Sequence, residues 1–151
     1  MSRRLSPNEK IVADHILASF GVTVRLTGRA SAFYAENQEI QLNGAHGKRR
    51  LYILLHEAGH AIIWARRNTK KIQGRAGRGH NPCAAAAGLR KGSTVSNIGI
   101  LEEEMEAWHL GRELAGQLGI ALDNTFEKVK AEYLLGYVKW AANPKMWRDG
   151  K

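Results

Sequence analysis

The sequence has little of what marks secreted or membrane proteins. Its 151 residues include one cysteine, Cys83, so no intramolecular disulfide can form and a disulfide-built scaffold is excluded. Residues 1–7 are polar and basic and no long apolar run is present, so we expect neither a signal peptide nor a membrane span. We therefore expect a cytoplasmic protein. The length, with 44% hydrophobic and 25% charged residues, predicts a single domain over residues 1–151 that buries a true core.

Acidic residues are absent from one stretch of the chain. Eight Lys or Arg and no Asp or Glu lie between Arg66 and Lys91, which leaves 15 basic against 14 acidic residues elsewhere. Nearly all of the net charge of +9 therefore falls in this stretch. Because it is also rich in glycine and poor in large apolar residues, we interpret residues 67–99, approximately, as an irregular basic insertion.

The insertion has three possible uses: a solvated loop without a task, a lid or substrate-recognition flap, or a surface that binds nucleic-acid phosphates. Flexible backbone with Lys and Arg side chains is typical of salt-dependent binding that ignores base sequence. The residues that would contact nucleic acid or another partner are Arg66, Arg67, Lys70, Lys71, Arg75, Arg78, Arg90 and Lys91.

The chain does contain two histidines four residues apart in a strongly apolar segment. On a helix, His56 and His60 lie on one face about one turn apart, so their imidazoles can converge on one cation. Glu57 would then lie beside a water on that cation and could take its proton as a general base. Since residues 54–64 are otherwise almost wholly apolar, the helix is expected to be buried, where two histidines and a glutamate need a partner.

A catalytic zinc site needs a third protein ligand, and a glutamate-rich helix over residues 100–118, approximately, offers candidates. Helical projection places Glu104 in the middle of the apolar arc and Glu103 toward its edge. The other three glutamates, Glu102, Glu106 and Glu113, cluster on the solvated side. Because an inward carboxylate is costly unless it is paired or binds metal, the pattern favours Glu104 as the ligand, with Glu103 as the alternative.

The remaining patterns predict an α+β fold. Ser6, Pro7 and Glu9 form a capping-box start for a first helix, which Gly21 ends. Alternating β-rich segments predict three short strands at 22–26, 32–35 and 39–42. The expected helices that follow are the metal-binding helix at about 48–66, the glutamate-rich helix, and a last helix at about 125–142 capped by Asp123 or Asn124. The small sheet is expected to pack on the metal-binding helix.

Residues 56–60, read with the glutamate-rich run 103–108, resemble the gluzincin metalloproteases. The likeness is greatest to their small intracellular branch, the ImmA/IrrE-like peptidases, with SprT-like proteases as more distant relatives; it covers 22–119 and includes the lead-in 50–55. It implies a minimal zincin-like domain, a Zn²⁺ cofactor, and hydrolysis of peptide bonds in an intracellular protein substrate, regulatory or DNA-associated. Gluzincins often carry Asp or Asn four residues after the ligand glutamate, whereas this chain has Trp108 there.

Two functions of different class follow. The first is a zinc endopeptidase, in which the zinc is held by His56, His60 and Glu104 and Glu57 is the base. The second is a non-catalytic, metal-stabilised module that binds nucleic acid or protein through the basic insertion. The presence of Glu57 favours the enzyme, since a scaffold needs no general base. The spacing does not choose an oxyanion donor among Tyr34, His46, His80, His109 and Tyr137.

Overall fold

The computed structural model describes residues 4–45, 47–72 and 94–142. In these residues the chain forms four helices and one three-stranded sheet, which confirms the predicted α+β class. None of the helices of this part is long and apolar enough to cross a membrane. The elements are α1 Pro7–Phe20, β1 Thr23–Thr27, β2 Ala32–Tyr34, β3 Glu39–Asn43, α2 Lys48–Ile72, α3 Thr94–Gln117 and α4 Asn124–Ala142.

Helix α1 begins and ends as its sequence predicts. The Ser6 side chain accepts a hydrogen bond from the Glu9 backbone N–H, and the Glu9 carboxylate accepts one from the Ser6 N–H at 2.7 Å. Gly21 ends the helix in the left-handed conformation, with φ of 66°. Glu9 is buried because its carboxylate also pairs with Arg50, which joins α1 to the first turn of α2.

The sheet has the strand order β1-β3-β2. The central strand β3 pairs in parallel with β1 and antiparallel with β2, so β2 forms one edge. Ile40 and Leu42 of β3 are fully buried and belong to the same hydrophobic core as α2. All three strands agree with the predicted segments to within one residue at each end. The sheet packs on α2 through β2 and β3, as expected.

Helices α2 and α3 are both longer than predicted. We expected α2 to end near Arg66 and α3 to begin near Ile100, but α2 continues to Ile72 and α3 begins at Thr94. The prediction of an irregular segment over 67–99 was therefore wrong at both ends, and residues 73–93 lie outside the described residues. At the α3 end the physical reason is tertiary packing: Ser96 and Asn97 are buried, and the Asn97 side-chain amide donates to the Ala141 carbonyl at 3.5 Å.

The principal packing in the described part is between α2 and α3, and it depends on two glycines. A Cβ atom on Gly59 would collide with the backbone carbonyl of Ala107, whose carbon would be 2.7 Å away. A Cβ atom on Gly111 would lie 2.6 Å from the Leu55 carbonyl oxygen. The two helix backbones therefore touch at a crossing where no side chain fits. This close approach brings the glutamates of α3 to the histidines of α2.

Candidate metal centre

Donor atoms of three side chains from α2 and α3 converge at the helix crossing. His56 Nε2 lies 3.1 Å from His60 Nε2, because the two residues are one helical turn apart. The Glu104 carboxylate faces both rings, with Oε2 2.8 Å from His56 Nε2 and Oε1 3.1 Å from His60 Nε2. All three side chains are largely buried.

The donor spacing fits a single cation. In a tetrahedral site with ligand distances of about 2.0–2.2 Å, neighbouring donor atoms lie roughly 3.3–3.5 Å apart. The observed separations of 2.8–3.1 Å are close to that range, so small side-chain adjustments would suffice. Two imidazole nitrogens and one carboxylate are a donor set that also occurs in zinc sites of other proteins. The chain thus provides a group that could hold a metal ion.

Glu57 lies beside this cluster. Each of His56, Glu57 and His60 offers a possible ligand atom, and these atoms lie within 4.8 Å of one another. Glu57 Oε1 is 3.4 Å from His56 Nδ1, whereas Glu104 approaches both Nε2 atoms. Glu104 thus lies on the Nε2 side of both rings, and Glu57 lies on the Nδ1 side of His56.

The electrostatics couple the histidines to the carboxylates. Burial by itself would lower the pKa of His60, but the Glu103 and Glu104 carboxylates outweigh burial and raise that pKa to about 10. Burial would raise the pKa of Glu104, but hydrogen bonds to His56 and His60 lower it to about 2. The pKa of His56 is also raised, since contacts with Glu104 and Glu57 outweigh its burial. The carboxylates of the cluster thus favour the protonated form of both imidazoles.

The His56 ring is held by a stack. Trp108, fully buried on α3, lies parallel to it, with ring centroids 4.4 Å apart and an interplanar angle of 10°. His56 Nδ1 makes no hydrogen bond within the described residues. Trp108 lies four residues after Glu104, about one turn further along α3. An aromatic contact therefore orients the imidazole where a hydrogen bond would be expected.

The cluster lies in a cleft of about 800 Å³. One wall is formed by β2 and the residues next to it, and the opposite wall by α4. Its size is that of a ligand-binding site, and its lining combines apolar and aromatic side chains with the charged groups of the cluster. The aromatic residues that line it are Phe33, Trp64, Tyr133, Tyr137 and Trp140.

Tyr133 is a cleft residue that sequence reasoning missed. Its ring lies 5.9 Å from the His56 ring and 5.6 Å from that of Trp108. Burial raises the pKa of the Tyr133 phenol. The sequence feature that could have pointed to Tyr133 is its spacing of four residues from Tyr137, which places both on one face of α4. Of the named oxyanion candidates, Tyr137 lines the cleft, Tyr34 and His109 are exposed, and His46 and His80 lie outside the described residues.

The other glutamates of α3 divide as helical projection indicates. Glu103 is partly buried, and Glu102, Glu106 and Glu113 are exposed. Of the basic residues, Arg66 is exposed and Arg67 forms an ion pair with Glu103 in the cleft. Lys70 and Lys71 belong to α2. The remaining predicted contacts, Arg75, Arg78, Arg90 and Lys91, lie outside the described residues.

Comparisons of the chain with models of protein families, with curated proteins and with solved structures gave no match. The functional argument therefore depends on the geometry of the cluster and its cleft.

Proposed function

We propose that this protein is a zinc-dependent endopeptidase of the gluzincin type, with a minimal zincin-like fold, acting on an intracellular protein. The observation that carries the proposal is the convergence of His56, His60 and Glu104 at a cleft that also holds Glu57. This donor set occurs in catalytic zinc peptidases. The sequence resemblance, most specific at residues 56–60 of α2, supports the same conclusion.

In the proposed reaction, different residues of the chain hold the metal, transfer the proton and bind the carbonyl oxygen. His56, His60 and Glu104 would hold Zn²⁺, which supplies Lewis acidity to the scissile carbonyl and lowers the pKa of a water molecule. Glu57 accepts a proton from the attacking water as the new C–O bond forms. It then delivers that proton to the amine nitrogen as the C–N bond breaks. Tyr133, a protonated phenol that lines the cleft with its ring 5.9 Å from the His56 ring, would donate a hydrogen bond to the carbonyl oxygen as negative charge develops there.

The cleft favours an extended peptide as the substrate. Strand β2 is an edge of the described sheet and lines the cleft, so a peptide in extended conformation can pair with it. The aromatic side chains on both walls, among them Phe33 and Trp140, suit large apolar substrate side chains. A regulatory or DNA-associated protein is the substrate class that the resemblance and the basic insertion favour.

The test compares cellular N-termini in cells that carry the wild type or the Glu57→Gln variant. The substitution keeps the shape of the side chain and removes the base, so zinc content should stay at one ion per chain while cleavage falls by at least about 100-fold. New N-termini that depend on Glu57 identify the substrate. Glu102→Gln, the same chemical change on the exposed face of α3, is the matched control and should cleave as the wild type does.

Two outcomes would contradict the proposal. If no N-terminus depends on Glu57, the protein is not an endopeptidase under those conditions, and an unchanged cellular effect of Glu57→Gln would favour the metal-stabilised binding module instead. If neither the purified wild type nor Glu104→Gln takes up zinc, the cluster is an ion-pair network and not a metal centre.

A further inference from the structure

A second carboxylate lies behind the cluster, next to the nitrogen of His60 that faces away from Glu104. Glu103 Oε1 is 3.9 Å from His60 Nδ1 and 3.5 Å from the Arg67 guanidinium. Arg67 lies seven residues after His60, so both project from the same face of α2. The Glu103 carboxylate therefore lies between the His60 ring and the Arg67 guanidinium, on the side of His60 away from the donor atoms. All three side chains line the cleft and are partly buried, with 17%, 13% and 26% exposed, respectively.

The two adjacent glutamates of α3 meet opposite sides of one imidazole. Successive residues on a helix point about 100° apart, so Glu103 and Glu104 cannot approach the same atom of His60 from one direction. Glu104 Oε1 faces Nε2, and Glu103 Oε1 faces Nδ1. A distance of 3.9 Å exceeds that of a hydrogen bond, but a shift of about 1 Å in the carboxylate would form one.

We infer that Glu103 and Arg67 are positioning residues for His60, and that Arg67 determines which of the two adjacent glutamates binds the metal. This inference rests on the metal centre of the proposed function but not on peptide hydrolysis. Glu103 accepts the Nδ1–H of neutral His60, which leaves the Nε2 lone pair directed at the cation. Arg67 neutralises Glu103 and holds it behind the ring, so Glu104 alone supplies the oxygen ligand.

The arrangement explains why an arginine stands at this position. Glu57, Glu103 and Glu104 place three carboxylates around two imidazoles. Without a cation on its outer side, Glu103 would be free to swing toward a bound metal and compete with Glu104. The guanidinium fork can hold one carboxylate in a fixed direction, which a lysine ammonium does less well. Nothing equivalent is needed at His56, whose ring is fixed by the Trp108 stack.

The test measures metal affinity in the full-length protein. Zinc dissociation constants are obtained by competition with a chromophoric chelator at one pH, for the wild type, Glu103→Ala, Glu103→Gln and Arg67→Met. We expect Glu103→Ala to bind zinc 10–100-fold more weakly, the usual effect of removing a carboxylate behind a ligand histidine. Glu103→Gln retains an acceptor oxygen and should recover part of the loss. Arg66→Met, on the exposed neighbour of Arg67, is the matched control and should bind as the wild type does.

A double-variant cycle separates positioning from a general structural effect. If Arg67 acts through Glu103, then Arg67→Met should weaken zinc binding in the wild type and add little in the Glu103→Ala background. The visible absorption of the Co²⁺-loaded protein should keep its shape and intensity in Glu103→Ala, because the ligand set is unchanged. Circular dichroism and thermal unfolding verify that each variant is folded.

Several results would overturn the inference. One is that Arg67→Met and Glu103→Ala both bind zinc as tightly as the wild type does. Another is that the losses of zinc-binding free energy in the double variant are additive. A third is a Co²⁺ spectrum that shows a lost ligand in Glu103→Ala. A wild type that binds neither Zn²⁺ nor Co²⁺ overturns both this inference and the proposed function. A wild type that binds zinc, shows the expected pattern of affinities and cleaves nothing removes only the proposed function.

Discussion

At the scale of single residues, the histidines of the cluster hold protons that a binding metal ion would have to displace. In the metal-free cluster the pKa of His60 is raised to about 10, so at neutral pH the ring holds a proton on a nitrogen that a metal would need. The pKa of His56 is shifted in the same direction. Protons and metal therefore compete for the same nitrogen atoms.

We expect zinc binding to release at least one proton per ion and the apparent zinc affinity to rise with pH through the neutral range. The sign follows from the raised pKa of His60, since a higher pH removes the competing proton. Calorimetry at pH 7 in buffers of different ionisation enthalpy measures the number of protons released. A binding enthalpy that does not depend on the buffer would contradict this prediction, because it would show that no net proton is released.

The Trp108 stack leads to a second prediction at this scale. Trp108→Phe keeps an aromatic face against His56, whereas Trp108→Leu removes it. Both leave space in the core and should lower the free energy of unfolding by about 2–4 kcal/mol. Only Trp108→Leu should weaken zinc binding, by roughly tenfold, because the ring plane of His56 is then no longer fixed. Chelator competition well below the melting temperature gives the comparison, and equal affinities in the two variants would remove the orienting role of the stack.

At the scale of elements, the site depends on how closely α2 and α3 approach. An alanine at Gly59 or Gly111 places a methyl group inside the opposite backbone, so the helices must separate. We expect each substitution to lower the free energy of unfolding by at least about 1–3 kcal/mol and to weaken zinc binding as well. The second effect follows because Glu104 would move away from both histidines.

Gly116→Ala is the control for this prediction. Gly116 lies in the same helix α3, and a Cβ atom there would meet no atom within 4 Å. That substitution should raise the free energy of unfolding by about 0.5–1 kcal/mol through helix propensity alone. Urea unfolding with and without zinc measures all three variants. If Gly59→Ala and Gly116→Ala behave alike, the close crossing does not determine the site.

Local sequence patterns predicted which helices and strands form better than they predicted where helices α2 and α3 begin and end. The capping box at Ser6, the αL glycine at Gly21 and the Asp123 cap of α4 are short-range signals, and the structure confirms each. Projection placed Glu104 inward, and the structure buries it against both histidines. The early start of α3 was not predictable from the sequence, because it depends on packing against Ala141, a contact that no local pattern contains.

At the scale of the whole molecule, the sequence did not predict the pairing of the strands. Nothing local indicates that β1 pairs with β3 in parallel and leaves β2 at the edge. The placement of Tyr133 opposite β2 follows only once α4 is docked on α2 and α3. That peptides are cleaved, and that zinc is the metal, stay predictions.

The buried ion pair of Glu9 and Arg50 makes the stability of the whole molecule sensitive to acid. Burial alone would raise the pKa of Glu9, but the hydrogen bonds and charge of Arg50 lower it, and Arg50 forms two contacts of 2.6 Å with the carboxylate. A lowered pKa means that the stabilisation is present above the unfolded-state value of about 4.5 and is lost as pH falls below it.

We therefore expect the free energy of unfolding to decline as pH falls below about 4.5, and this decline to be shallower in Glu9→Gln. At pH 7 the same variant should be less stable by about 3–5 kcal/mol, since it leaves the Arg50 guanidinium buried without its counter-charge. Urea unfolding between pH 3 and 7 measures both effects. Parallel pH curves for the two proteins would show that another group governs acid sensitivity.

The donor atoms of the cluster come from two helices, with Glu104 48 residues after His56 in the chain. A ribosome therefore releases the imidazole pair well before the carboxylate, and a nascent chain cannot close the cation site until α3 has emerged and crossed α2. The three donor side chains can therefore come together only after α3 has been synthesised.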